Sequence, residues 1–339
     1  MPKINESNSL KSTFVKKNIA LVTGGDSGEV TISLQSAKII KVNIDDEKFN
    51  VFTIVISGSK WMYLSETNIE TAVDKNDFSI INNGKKIKFD CVFIAIHGTP
   101  GEDGKLQGYF DMLGIPYTFS GVCTSSLTFN KSFCQAMAKE YGAETAKSVL
   151  LKKNESYNIE KIISVTGLPC FVKPNNGGSS IGTSKVLHIH ELNNAIQTAF
   201  HEDNEVLVDE FIEGTEVTCG ILQKKNELIA LPLTEIVSKN DFFDFKSKYD
   251  PLLADEIIPA RVPDEVHKKS KELSLYLFEK FGCKGVARFD YIVKNGTPYF
   301  LEVNTIPGLS AASIVPKQAN AMGISLKELF TILIENVCS

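Results

Sequence analysis

The chain of 339 residues lacks most of the features that would take it out of a reducing, aqueous interior. Its seven cysteines (Cys91, Cys123, Cys134, Cys170, Cys219, Cys283, Cys338) are scattered singly, with no CxxC pair. That excludes a disulfide framework or a cysteine zinc site and reads as free thiols. No segment approaches the roughly 18 consecutive apolar residues of a membrane span. The opening stretch, MPKINESNSLKSTFVKKN, is polar without an apolar core, so no secretory leader is expected. Positive charge is not in excess: 36 Lys and Arg against 41 Asp and Glu leave a net charge of −5. A broad electrostatic footprint for nucleic acid or anionic membrane is therefore not expected. Internal repeats and low-complexity tracts are missing, as are GxxxxGKS/T and GxGxxG, which disfavours a P-loop or dinucleotide fingerprint. These absences leave a cytoplasmic, multi-domain α/β protein as the expectation.

The content that is present suits that class. With 43% hydrophobic and 23% charged residues, the chain can build a sizeable core. Its length allows two to three domains at roughly 150 residues each. IALVTGG (19–25) is an apolar run ending in two glycines, followed by an amphipathic stretch over 33–44: strand, glycine turn, helix. FNVFTIVIS (49–57) and DCVFIAIHG (90–98) predict further buried strands, and 105–113 a short helix. Beyond these, 130–141 and 191–201 read as helices, and 169–174, 183–189 and 205–211 as strands. A hairpin is predicted over 216–229, a helix over 264–281, and a helical tail over 316–337. Residues 238–263 show no periodicity and read as a long loop, a feature that is usually functional or disordered. VARFDYIVKNGTPYFLEVN (286–304) predicts two strands joined by an Asn-Gly turn. The domain reading is a flexible extension over 1–17, a doubly wound parallel-sheet domain over 18–119, a central unit over 120–209 and a C-terminal unit over 210–339.

Several clusters are suited to chemistry. KPNNGGSSIGTSKV (173–186) lies between two strands and can present successive backbone N–H groups and serine hydroxyls as an anion nest, with Lys173 beside it. A tight glycine-serine turn is the plain alternative. Glu302 and Asn304 alternate with Leu301 and Val303, so both point to one face of a strand. Asp290 lies on the preceding strand and, counted back from the turn, faces about residue 301. Three oxygen donors on one hairpin face suit Mg²⁺; a solvated polar face explains the pattern equally well. Arg288 shares that face by period two, and Gly308 after Pro307 allows close backbone approach to an oxyanion, or simply a turn. His97 in HGTPGEDGKLQG sits at the carboxyl end of a strand, where ligands of open α/β sheets collect, although a lone histidine is more often structural. Glu29 opens a helix, where a carboxylate is favoured electrostatically in any case. Lys131 also opens a helix, where a cation is disfavoured, and that mismatch suggests an anionic partner.

Taken in order, GGDSGEVTIS, HGTPGEDGKLQGYFDMLGIPYTFSG with SSLTFNK, FVKPNNGGSSIGTSKV, EFIEGTEVT, and ARFDYIV with EVNTIPGLSAASIVP closely resemble the D-alanine–D-alanine ligases of the ATP-grasp superfamily, over about residues 19–335. The resemblance implies an N-terminal doubly wound domain and two α+β subdomains that enclose ATP. It implies ATP-dependent joining of two D-alanines for peptidoglycan, with a D-alanine–D-lactate ligase or another carboxylate–amine ligase as alternatives. On this basis Lys131 and Lys173 contact phosphates, and the loop with Gly178, Ser179 and Ser180 folds over them. Asp209, Glu210, Phe211 and Ile212 meet the adenine edge, and Glu216 the ribose. Asp290, Glu302 and Asn304 hold two Mg²⁺, with Mn²⁺ a plausible substitute. Glu29 takes the ammonium of the first D-alanine and His97 its carboxylate. Ser179 and Tyr249 link with Glu29 to close the 238–260 loop; Lys248 and Ser313 hold the second D-alanine; Arg288 and the Gly308 N–H face the tetrahedral intermediate. A homodimer is implied, with no nucleic-acid or membrane partner. Val30-Thr31 stands where relatives carry a basic and then a polar or acidic residue, and Asp209 replaces a more usual Glu.

Overall fold

Three apolar runs form the parallel centre of the first sheet in the computed structural model, which describes residues 15–65, 67, 69–238 and 254–338. Lys17–Gly24 lies between Phe49–Ser57 and Cys91–Ile94 and is parallel to both. From Ile19 onward every residue of the central strand is buried, as expected when both faces of a sheet are covered. The helix Val30–Asn43 buries Ser33, Ser36, Ala37 and Ile40, one stripe at helical spacing. Beyond this parallel centre, Lys60–Leu64 and Glu70–Ala72, which the sequence reading did not single out, extend the sheet antiparallel at one edge. Ile80–Asn82 and Lys85–Ile87 form a separate two-stranded ribbon. These strands are three to five residues long, too short for alternation to reveal them.

The second sheet is four-stranded and antiparallel, in the order Ser184–Val186, Cys170–Pro174, Glu205–Glu210, Ser148–Lys152. Helices Ile159–Thr166 and Ile189–Glu202 share its core. The strand expected over 183–189 is cut short because Ile189 begins a helix. The Glu191 carboxylate accepts the His188 N–H at 3.0 Å, which closes that helix start.

The third sheet runs Ala254–Ile257, Thr234–Ser238, Thr215–Lys224, Val286–Lys294, Thr297–Asn304, Glu144–Thr145, with Glu227–Ala230 paired to Thr215–Lys224. The expected loop over 238–263 thus contains a strand, since 254–257 pairs with 234–238. The tail, predicted as one helix, is two: Ile314–Ala321 and Leu326–Glu335. Gly323, at φ +81, stops the first, and Ser325 caps the second by accepting the Glu328 N–H. Leu329, Phe330 and Leu333 of the last helix are buried in the core of the first sheet. Among the described residues no helix is long and apolar enough to cross a membrane.

Candidate active site

A cavity of about 520 Å³ is lined by the second and third sheets, the glycine-serine loop and the segment crossing between the sheets. That volume lies in the range of small-molecule sites. Lys131, Lys173, Gly178, Ser179 and Ser180 line one side, and Glu216, Arg288, Asp290 and Glu302 the other. Asp209, Glu210, Phe211 and Ile212 line the crossing.

On the loop side, Lys173 Nζ stands 2.7 Å from Asp209 Oδ2. Burial pulls the Lys173 ammonium down, but the carboxylate more than offsets it and holds the lysine protonated. The other oxygen of Asp209, Oδ1, is buried without a hydrogen-bond partner among the described residues. Asp209 therefore brings a side chain as well as backbone to this wall, which the sequence reading did not anticipate. Lys131 Nζ donates to the Gly177 carbonyl at 2.5 Å, placing the helix cation directly against the loop.

Across the cleft, Asp290 is the register partner of Glu302, and Arg288 that of Asn304. Counting from the turn placed Asp290 opposite residue 301; a bulge between Asp290 and Tyr291 moves the register by one. All four side chains consequently share one face. Arg288 binds Asp290 in a fork, Nε to Oδ1 at 2.8 Å and Nη2 to Oδ2 at 2.7 Å. Thr218 and Asn304 donate to the same carboxylate at 2.6 and 3.0 Å. Burial disfavours the Arg288 cation, yet the Asp290 charge raises its pKa above the ordinary arginine value. Because Asn304 turns its amide nitrogen toward Asp290, its carbonyl oxygen is the pole left for a cation. Among the described residues no group of three or more His, Cys, Asp or Glu side chains is placed to hold a metal. Two carboxylates and an amide oxygen suit an ion that shares its shell with phosphate and water.

A third cluster joins the first sheet to the loop. Glu29 occupies the N-cap position of the helix Val30–Asn43 without bonding its N–H groups through the side chain, is buried, and accepts a hydrogen bond from Ser179 Oγ. Gly178 permits this approach, since a Cβ there would lie 2.7 Å from Glu29 Oε2. His97 is buried, with Nδ1 3.1 Å from the Ile306 carbonyl and Nε2 3.1 Å from Ser36 Oγ. A carbonyl can only accept, so Nδ1 carries the proton of the neutral ring and Nε2 accepts from the serine. Burial pushes the imidazole pKa down, with the Glu29 charge opposing. Sequence reasoning missed Glu102, although it lies in the quoted HGTPGEDG. Its carboxylate accepts the Gly98 N–H at 2.8 Å; removal from solvent and the nearby charge of Glu29 push its pKa up to about 8.

Gly308 and Ser313 pack against each other beside Ile314, which lines the cavity. A Cβ on Gly308 would lie 2.7 Å from Ser313 Oγ, which itself pairs with Ser310 Oγ at 2.8 Å. Lys248 and Tyr249, and most of the segment expected to cover the cleft, lie outside the described residues.

Two α+β units gripping a cleft between a glycine-serine loop and an acidic hairpin, with a parallel-sheet domain tied to that loop through Glu29 and Ser179, define an ATP-grasp ligase architecture. Residues 18–120 match the family model "D-ala D-ala ligase N-terminus", and residues 137–335 match "D-ala D-ala ligase C-terminus". The chain belongs to the D-alanine–D-alanine ligase family. It is 47% identical over 323 residues to the D-alanine–D-alanine ligase of Azobacteroides pseudotrichonymphae, covering 95% of this chain and 100% of the relative. It is 48% identical over 319 residues to that of Flavobacterium johnsoniae, covering 94% and 98%. Among solved structures, it is similar to the VanG D-Ala:D-Ser ligase from Enterococcus faecalis, with TM-score 0.84 and 33% identity over 95% of this chain and 99% of that one. It is also similar to the D-alanine–D-alanine ligase from Bacillus anthracis complexed with ATP, with TM-score 0.76 and 31% identity over 94% and 97%.

Proposed function

We propose that the protein joins two D-alanine molecules into D-alanyl-D-alanine, using ATP and releasing ADP and phosphate, in the cytoplasm and for peptidoglycan. The observation that supports this function most is that Lys131, Lys173 and the acidic hairpin line one cleft, with the buried Glu29 bonded to Ser179 of its glycine-serine loop. A carboxylate is a poor electrophile. Transfer of the γ-phosphoryl group to the carboxylate oxygen of the first D-alanine gives an acyl phosphate and ADP. The amine of the second then attacks the acyl carbon, loses a proton, and expels phosphate from a tetrahedral intermediate.

In this scheme Lys131 and Lys173 offset phosphate charge, and Gly178, Ser179 and Ser180 supply donors. The orphaned Asp209 Oδ1 supports placing adenine against Asp209, Glu210, Phe211 and Ile212, because an exocyclic amine is a donor. Glu216 takes the ribose hydroxyls. Glu29 takes the ammonium of the first D-alanine. For His97 to take its carboxylate, Nε2 has to give up Ser36 and carry a proton, which the substrate charge favours. Arg288 and the Gly308 N–H face the oxyanion, a kind of donor worth about 3–4 kcal/mol in such sites. Ser313 and Lys248 hold the second D-alanine, and Tyr249 completes the Glu29–Ser179 set. Asp290, Glu302 and Asn304 are suited to holding two Mg²⁺, or Mn²⁺ in their place, which would offset charge on phosphate oxygens. Water exclusion protects the acyl phosphate from hydrolysis, and a homodimer is the assembly we expect.

The test is ATP-dependent phosphate release with D-alanine alone, and with D-alanine plus D-lactate or D-serine. The resemblance to a D-Ala:D-Ser ligase makes D-serine a necessary arm. Release with D-alanine alone, yielding the dipeptide, is expected; its absence across neutral and mildly alkaline pH would rule the assignment out.

A further inference from the structure

The residue that ties the glycine-serine loop to the helix carrying Lys131 is Asn175, which lies in KPNNGGSSIGTSKV but has no role assigned to it there. Asn175 is fully buried and follows the strand Cys170–Pro174, two residues before Gly177. Its backbone carbonyl accepts the Lys131 N–H at 2.8 Å, and its side-chain Oδ1 accepts the Ser132 N–H at 2.9 Å. Asn130 Oδ1 takes the Phe133 N–H at 3.1 Å. The first three orphan donors of the helix Lys131–Glu140 are thereby satisfied, two of them by Asn175. The opposite side of Asn175 is fixed as well: Nδ2 donates to Glu205 Oε2 at 2.7 Å, and its backbone N–H to the Glu205 carbonyl at 2.9 Å.

Two consequences follow. The helix N–H groups are spent within the protein, so the lysine side chain is what this helix end offers an anion. The position of Lys131 relative to the loop is also held from the loop side, by a residue whose four hydrogen bonds span three elements. We propose that Asn175 is a positioning residue for nucleotide binding: it sets the Lys131 ammonium over the phosphate loop and touches no substrate. The proposal rests on Lys131 contacting phosphate.

The experiment is a double-mutant cycle read as the Kd of a β,γ-imido ATP analogue with Mg²⁺, measured calorimetrically on the full chain without amino acid. Lys131→Ala and Asn175→Ala are each expected to weaken binding about tenfold, and the double variant no more than Lys131→Ala alone, because residues acting through one another are not additive. Glu205→Gln, which keeps an acceptor for Nδ2, is expected to retain the wild-type Kd, whereas Glu205→Ala weakens it. If Asn175→Ala does not fold, Glu205→Ala replaces it in the same cycle. Additive losses, which a general structural role would give, overturn the proposal, as does an unchanged Kd in Asn175→Ala beside a weakened Lys131→Ala. An unchanged Kd in Lys131→Ala overturns it together with the phosphate assignment of Lys131. Ligation of D-alanine by the wild type is scored separately and decides only the overall activity.

Discussion

The Ser179 hydroxyl donates to Oε1 of Glu29, joining two residues 150 positions apart. One belongs to the loop beside the lysines, the other to the first helix of the parallel-sheet domain. The position of the loop and that of the Glu29 carboxylate are therefore tied to each other.

Ser179→Ala removes the donor and leaves a buried carboxylate short of one partner. A hydrogen bond to a charged group contributes about 1.5–3 kcal/mol. We expect the folded state to lose about 1.5–3 kcal/mol, and kcat/KM for the first D-alanine to fall because the loop loses its tie to Glu29. Initial rates at saturating ATP, paired with melting curves, check this; an unchanged kcat/KM refutes it.

Gly178→Ala and Gly108→Ala form a matched pair. A Cβ at Gly178 meets Glu29 Oε2 at 2.7 Å, so that variant is expected to displace the loop and lose most of its turnover. A Cβ at Gly108, inside the helix Lys105–Leu113, meets Val122 Cγ2 at an ordinary 3.7 Å. Gly108→Ala is expected to stabilise by up to about 1 kcal/mol and keep full activity. Similar activities in the two variants would contradict the crowding at Gly178.

Asp290 is both a cation ligand candidate and the partner of buried Arg288. Asp290→Asn removes the charge that pairs the guanidinium and is expected to cost about 3 kcal/mol of stability as well as abolishing turnover. Glu302→Ala should abolish Mg²⁺-dependent turnover while the protein stays folded. Denaturant melts separate the two roles: equal stability losses would show that Asp290 is not the anchor of Arg288.

Glu102 ties stability to pH. Its folded pKa, about 8, lies above the ordinary glutamate value of 4.5, so the folded state binds the extra proton. Stability from this group is present below 4.5 and is lost as pH rises from there to about 8. Glu102→Gln cannot ionise, so its stability relative to wild type should rise through that window and level off above it. Melting temperatures of both proteins without ligand across this range test the sign, and a flat difference excludes the shift.

The order of local signals was legible in the sequence: the apolar strands, the Asn-Gly hairpin, the helix over 264–281, and the motifs that match the ligase family. Period two alone puts Arg288 with Asp290, and Glu302 with Asn304, on shared faces. Which residue of one strand meets which of the other was decided by the bulge after Asp290, a backbone irregularity that no side-chain pattern encodes. The roles of Glu102 and Asn175 also depend on tertiary structure, because partial burial near the charge of Glu29 and hydrogen bonds reaching to Ser132 and Glu205 are properties of neighbours far along the chain. The sequence by itself determined which elements form and which polar groups they carry; only the packing of three sheets determined how those groups are solvated, paired and aimed, since desolvation and hydrogen-bond geometry exist only once distant segments meet.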